Sequence, residues 1–585
     1  MTTAAGTGAV LALHGVSGRD MLLFCAHVVL AVALPGVLLL RSLYRGRRTL
    51  AEEIALGLAL GYAVEVLAYV GARAVGVPLL VLVWPVGTCL LFLAVPRLRQ
   101  HWRAAPRRER APLWWSWSVA SVFTYLVLWS AVSFFRTHAL AWPALGSSSV
   151  DMPFHLALIG ELRHHMPPTV PTVAGEPLSY HWFVYAHLAA VSWVTGVEPL
   201  VLLLRLGALP VLAAFVVLVG MTARRVTSSW AGALLAVGGT VFVAAPSLYL
   251  GANGAFTWGG VPDLMWSSPT QTFGALLFVP VVILLVDLLE RRRSTAGRWL
   301  LLGIFLVAVM GAKATYLPLL GAGLLAVAAV ETFRRRGPSR STLTALGMTT
   351  ACLLFAQLVL FGGARQALGL APFSFMREAW RELTGLGGQA GPAPSATLGV
   401  VLVFLLCWAV AWCGALGLLC RRRSLLRPAV VLMLGIGAAG LGAALLLGHP
   451  DLSQLYFLRG AFPYPVIVAV HGLLVVRRRA RLPLRTAACA AGAGVAAAYL
   501  IPLACGVTVP LGPDQAEIAL YGPYAALSLV VLLVSAGLLL AGRRRLQVLA
   551  VVTFMLAAVG LPAAAHARVL AFLHGGSFAY GAAKG

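Results

Sequence analysis

Between residues 136 and 198 an otherwise oily chain carries Ser-Ser-Ser-Val-Asp151-Met-Pro-Phe-His155, then Glu161, then Tyr180-His181-Trp182 and His187. A carboxylate can accept the proton of a hydroxyl group, and an imidazole one helical turn further on can orient that carboxylate or bond the hydroxyl itself. Asp151 is therefore the candidate general base and His155 its candidate partner. Two cations lie further along, Lys313 and Arg459, and either can hold an anionic leaving group. Only Lys313 and Lys584 are lysines, and Lys313 falls among apolar segments, where a charge requires a partner. Glu161, Tyr180, His181 and Asp263 add carboxylates, a phenol and an imidazole suited to binding a polar substrate.

Each of these residues also has a plainer reading. Asp151 followed by an early-turn proline is a common start signal for a helix. Lys313 can snorkel to an interface, Arg459 can pair with Asp451 in its own loop, and Tyr180 and Trp182 can anchor the chain at a membrane surface. A metal is a further option, because His155, His164, His165, His181 and His187 join Asp151 and Glu161 in supplying ligand types. No His-Glu-x-x-His or comparable spacing appears, so no metal site is assigned and no cofactor is implied; a divalent cation stays an open possibility. The eight cysteines fall almost entirely within apolar segments without a Cys-x-x-Cys pair, as small packing residues do.

The elements that must position these side chains are membrane helices. Hydrophobic residues make up 60% of the chain and charged ones 11%, against roughly 25% charged in a soluble domain. Apolar runs of about 20 residues recur from 21–40, 54–70 and 79–95 onward, each sufficient to cross the hydrocarbon layer. The fold class is an all-α polytopic integral membrane protein with about 16 transmembrane helices. The first run lacks a basic segment before it and is too long for a signal peptide, so it reads as a retained helix.

The net charge of +26 is topological. Arginines bunch at 41–48, 97–110, 224–225, 291–298, 334–340, 421–427, 477–485 and 543–545, all of which the positive-inside rule places in the cytoplasm. Ordinary topology determinants explain them better than nucleic-acid binding, and no nucleic-acid partner is expected. Fixing them inside makes the N-terminus extracytoplasmic, brings the chain out at Arg136, and returns it through 200–221. The 136–198 loop is then extracytoplasmic, and two stretches within it, 154–165 and 182–195, are predicted as helices lying in the interface. A helix over the first puts Asp151, His155, Leu158 and Leu162 on one face. Residues 230–250 are predicted to span outward, and 300–312 with 315–330 to form a short hairpin with Lys313 near its outer apex. Glu65 is the one acidic residue placed within a helix; it is a candidate by default and could pair with Arg73.

This arrangement resembles the glycosyltransferase C superfamily. The resemblance covers roughly 113–336 and rests on the outward helix, the early Asp151 in the first large loop, the inward helix ending in Arg224-Arg225, the second acidic outer loop with Asp263, and the hairpin Leu302-Gly303-Ile304 to Ala312-Lys313. The segment from Pro167 to His181 is similar to that of large bacterial members. Two departures stand out: the loop has no paired acidic motif, and three additional helices precede it. The resemblance implies an N-terminal addition over 1–112, a catalytic module over 113–340 with its loop at 136–198, and a C-terminal transmembrane region over 341–585. It implies transfer of a sugar from a polyprenyl-phosphate donor to an envelope glycan, lipid or protein, in the plasma (inner) membrane of a bacterium and in contact with membrane lipids. Asp151 and His155 would then be catalytic, while Glu161, Tyr180, His181, Asp263, Lys313 and Arg459 would bind substrate. A transporter or flippase of lipid-linked or envelope precursors, and a non-catalytic envelope assembly protein, are the alternatives from other classes. Inverted repeats, the usual mark of a transporter, are not evident.

Overall fold

A computed structural model describes residues 2–103, 109–141, 151–251, 265–290, 294–335, 337–363, 367–386 and 392–573. Among these, 13 helices are long and apolar enough to cross a membrane, or up to 15 if each of two bent pairs is one span, compared with the 16 or so read from sequence. The protein is an all-α polytopic membrane protein. The only strands among the described residues are two-residue pairings, Leu250–Gly251 parallel to Thr508–Val509 and Gly369–Leu370 antiparallel to Leu447–Gly448, which tie connecting segments together.

The bundle is graded from a protein-enclosed centre to a lipid-facing periphery. Pro269–Glu290 is 94% buried over its most apolar window, whereas Arg340–Leu360 and Glu517–Leu540 are each 17% buried. Hydropathy cannot make this distinction, because lipid tails and helix neighbours are equally apolar. Leu50–Ala74 is also central and packs against Phe183–Thr195, Ala208–Thr227, Pro269–Glu290 and Ala296–Lys313.

One end of the bundle gathers arginines and their partners. Arg41 bonds Glu53 at 2.5 Å, Arg225 pairs with Glu52 and lies 3.9 Å from Asp287, Tyr44 donates to Asp287 at 2.5 Å, and Arg427 bonds Glu290 at 2.7 Å. Glu331 behaves differently from its neighbours, accepting from Ser339 N–H at 2.8 Å and the Thr342 hydroxyl at 2.9 Å at the start of the next helix.

Several elements depart from the expected boundaries for local reasons. The 230–250 span is helical only as Trp230–Phe242, because Pro246 forces the preceding residue out of helical geometry. Backbone groups freed there are met inside the bundle: the Leu248 N–H donates to the Tyr524 hydroxyl at 3.4 Å, and that hydroxyl donates to the Pro246 carbonyl at 3.1 Å. Pro96 similarly turns the chain by 103° between Pro78–Ala94 and Pro96–Trp102. The hairpin helices are longer than expected, Ala296–Lys313 and Tyr316–Arg335 at 18 and 20 residues, so each reaches about 27–30 Å. The first begins at Thr295, whose side chain caps it by accepting from the Arg298 N–H.

Candidate functional site

The two helices expected in the first large loop form as Met152–His164 and Phe183–Thr195, 13 residues each. The first buries Met152, His155, Leu158, Ile159 and Leu162; of the four residues that the spacing puts on one face, His155, Leu158 and Leu162 are buried and Asp151 is exposed. The second is surrounded by protein along most of its length, with every residue from Phe183 to Ser192 buried. Glycine permits its close approach to the hairpin. A Cβ at Gly311 would come within 2.3 Å of the Phe183 ring, so nothing larger fits unless that ring moves.

Asp151 stands at the N-terminus of the Met152–His164 helix, yet its side chain makes no capping hydrogen bond and its backbone is already helical, at φ −81° and ψ −14°. Its carbonyl accepts from the His155 N–H at 2.9 Å. The capping reading is thereby removed for the side chain. Protein crowding lifts the Asp151 carboxyl above its ordinary value, the charge of Asp451 adds to the rise, and Lys313 pulls in the opposite direction. Two chain segments 300 residues apart thus place a second carboxylate within electrostatic reach of the first.

Lys313 ends its helix and is buried at 6% exposure. Its Nζ lies 3.4 Å from the Thr270 hydroxyl and 4.1 Å from the centre of the Tyr456 ring. Arg459 shares that ring, with its guanidinium carbon 5.8 Å from the centre. The two cations chosen from sequence therefore approach one aromatic ring, although they come from the hairpin and from Leu455–Ala461. Gly274 lets the hairpin in, since a Cβ there would sit 2.8 Å from that of Lys313. The adjoining Gln271 donates to the Tyr316 hydroxyl at 2.9 Å, leaving its own side-chain oxygen without a partner among the described residues.

The histidines near this cluster are neutral. His155, 3% exposed and stacked on Tyr185 with centroids 5.4 Å apart, is pushed down to about 3 by burial and then by Lys313. His181 is lowered well below its usual value by the same two causes. Its Nδ1 accepts the Ala314 N–H at 3.3 Å, which fixes the remaining ring proton on Nε2. Tyr180 packs edge-on against Phe154 and lies close to Asp151 and Tyr456, whose charges add to the effect of burial in raising its phenol.

Other residues chosen from sequence fall elsewhere. Glu161 is engaged by its own loop: one oxygen accepts from the Thr169 N–H at 2.9 Å and its hydroxyl at 2.6 Å, the other bonds His165 at 3.0 Å. Burial raises its carboxyl, but these bonds outweigh that and leave it below the ordinary range. Asp263 lies outside the described residues. Glu65 does not pair with Arg73; its oxygens bond His27 Nε2 at 2.7 Å and His187 Nδ1 at 2.5 Å, while Arg73 donates to the His164 carbonyl. His187 is thus turned away from the Asp151 cluster. Among the described residues no three His, Cys, Asp or Glu are grouped as a metal site would need.

Asp451, Tyr456, Thr270 and Gln271 were not among the substrate-binding residues chosen from sequence. Asp451 and Tyr456 belong to the loop that supplied Arg459, a mixture of acid, amide, aromatic and base that offered a signal. Thr270 and Gln271 open an apolar helix and carry none.

No protein-family model matches the chain, and no curated protein matches it. Among solved structures it is similar to the archaeal oligosaccharyltransferase AglB from Archaeoglobus fulgidus, determined in complex with an inhibitory peptide and a dolichol-phosphate, at a TM-score of 0.39 and 12% identity. The match covers 76% of this chain and 56% of that one, so the chain spans little more than half the length of the archaeal protein. At that identity and TM-score the likeness says nothing of donor, acceptor or catalytic residues.

Proposed function

We propose that the chain is a membrane glycosyltransferase that moves a sugar from a polyprenyl-phosphate donor to an envelope glycan, lipid or protein on the extracytoplasmic face of a bacterial plasma membrane. What supports this reading is that Asp151 lies within electrostatic reach of Lys313, whose ammonium group sits over a Tyr456 ring that Arg459 also approaches. Asp151, ionised, takes the proton of the acceptor hydroxyl as its oxygen bonds the anomeric carbon. The bond from that carbon to the phosphate oxygen breaks, and the electron pair leaves with the phosphate. Lys313 and Arg459 supply fixed positive charge where that negative charge develops. His181 donates from Nε2 without adding charge, and His155, one helical turn from Asp151, is a neutral ring held against Tyr185. Tyr180 and Tyr456 offer faces on which a sugar can rest. Asp263 is retained as a substrate contact on sequence grounds, whereas Glu161 serves the loop that carries Asp151.

In this reading residues 113–340 form the catalytic module, 341–585 contribute Arg459 and Asp451, and 1–112 are an addition to it. The N-terminus and the Asp151 end of the bundle face away from the cytoplasm, and the arginine end faces it. No cofactor enters the reaction as proposed.

Purified full-length protein in lipid vesicles, supplied with radiolabelled polyprenyl-phosphate sugars and envelope acceptors, is expected to form labelled acceptor. Movement of labelled lipid across the bilayer without product would instead identify a transporter. Neither product nor movement, from protein shown to be folded, would leave the assembly role.

A further inference from the structure

The Leu50–Ala74 helix carries Tyr62, Glu65, Tyr69 and Arg73, successive members three or four residues apart and so on one face. All four meet the two helices of the Asp151 loop. Glu65 accepts from His187 of Phe183–Thr195 at 2.5 Å while its second oxygen holds His27 at 2.7 Å. Tyr62 sets its ring edge-on against His187 at 4.6 Å. Tyr69 donates to the Leu162 carbonyl at 3.0 Å, and Arg73 to that of His164, both in the last turn of Met152–His164. Glu65 and His187 are each 1% exposed, and Tyr69 is fully buried.

Apolar side chains would pack these helices together at less cost than a carboxylate and two imidazoles withdrawn from water. What polar contacts add is register. A slide of one turn, or a tilt of the Met152–His164 helix, would leave a buried carboxylate unpaired and the Tyr69 hydroxyl without an acceptor. The start of the same loop is held in a related way: the buried Arg205 donates to the carbonyls of His14 at 3.2 Å, Phe135 at 3.3 Å and His138 at 2.6 Å.

We infer that Glu65, Tyr69 and Arg73 are positioning residues, which hold Met152–His164 and Phe183–Thr195 in one register and thereby set Asp151 and His181 relative to Lys313. The inference rests on the transferase reading for its consequence but not for its geometry. The N-terminal addition then has a specific duty: to brace the loop that carries the base.

Tyr69→Phe removes one hydroxyl without changing packing volume, and Glu65→Gln keeps shape while removing the charge; both are made in the full-length protein in lipid. Hydrogen exchange over 152–164 and 183–195 is expected to quicken about tenfold in each, with Pro428–Leu446 unchanged. The kcat for transfer is expected to fall by a similar factor while KM for the lipid donor stays within about twofold. Unchanged exchange in the two loop helices, equal quickening across the bundle, or local quickening with kcat intact would overturn the inference. Should wild-type protein transfer no sugar, the transferase reading fails and exchange alone still decides whether the brace exists.

Discussion

At the scale of single residues, the Asp151 carboxylate has a value set by opposing neighbours. Asp151 is exposed, yet partial desolvation by the protein beside it and the charge of Asp451 raise it, and Lys313 lowers it. A base must be ionised to accept a proton, so the transfer rate is expected to rise with pH as Asp151 loses its own, with a midpoint above the ordinary aspartate value of 3.8. Asp451→Asn removes a repelling charge, stabilises the ionised form and is expected to move that acidic limb to lower pH. Lys313→Gln removes the attracting charge, so the limb moves to higher pH, with an additional fall in kcat from the lost phosphate contact. Measuring kcat/KM against pH for the three proteins checks both signs, and limbs that coincide would mean that Asp151 is not the titrating base. The candidates Asp151, His155, His181, Lys313 and Arg459 were legible in the sequence because each is a polar residue where apolar ones are the rule. Their grouping was not: nothing in the spacing connects Asp151 to Asp451, or tells that Glu65 binds two histidines in place of Arg73.

At the scale of elements, close approach decides whether these groups meet. Hydrophobic periodicity and proline positions indicated most helices, including both in the Asp151 loop, and misjudged those whose ends depend on a cap or a kink, such as the Thr295 start of the hairpin and the Pro246 break. Which helices touch is written instead in small residues, whose meaning appears only once the neighbour is known. Gly311 is such a residue at the site. A methyl group there would overlap the Phe183 ring, so Gly311→Ala is expected to cost about 1–3 kcal/mol of stability, as overpacking does, and to slow transfer by shifting the Phe183 helix and with it His181. Gly303→Ala on the same helix, where the nearest atom would be the flexible end of Met348 at 3.4 Å, is the control and is expected to leave both unchanged. Denaturation in mild detergent with the two variants side by side checks the difference; equal stability would show that the helices part easily at this point.

For the whole molecule, sugar transfer on the extracytoplasmic face requires that the arginine end and the Asp151 end lie on opposite sides of the membrane, with the latter away from the cytoplasm. Composition made the membrane class evident, but the sidedness rests on the positive-inside rule. In a variant lacking the native cysteines, Glu176→Cys on the exposed loop is expected to react with a membrane-impermeant maleimide in intact cells, and Arg544→Cys only after the cells are opened. The reverse pattern would place Asp151 in the cytoplasm and remove the proposed donor and acceptor together.

The proposed transfer depends first on Asp151 as the base. Its most direct test is the single-turnover rate of sugar transfer from a radiolabelled polyprenyl-phosphate donor by purified protein in lipid, wild type against Asp151→Asn. The substitution preserves size and leaves donor binding in place, so the rate is expected to fall by about 10²–10⁴ with donor affinity little changed. A variant that transfers sugar as fast as the wild type would contradict the account.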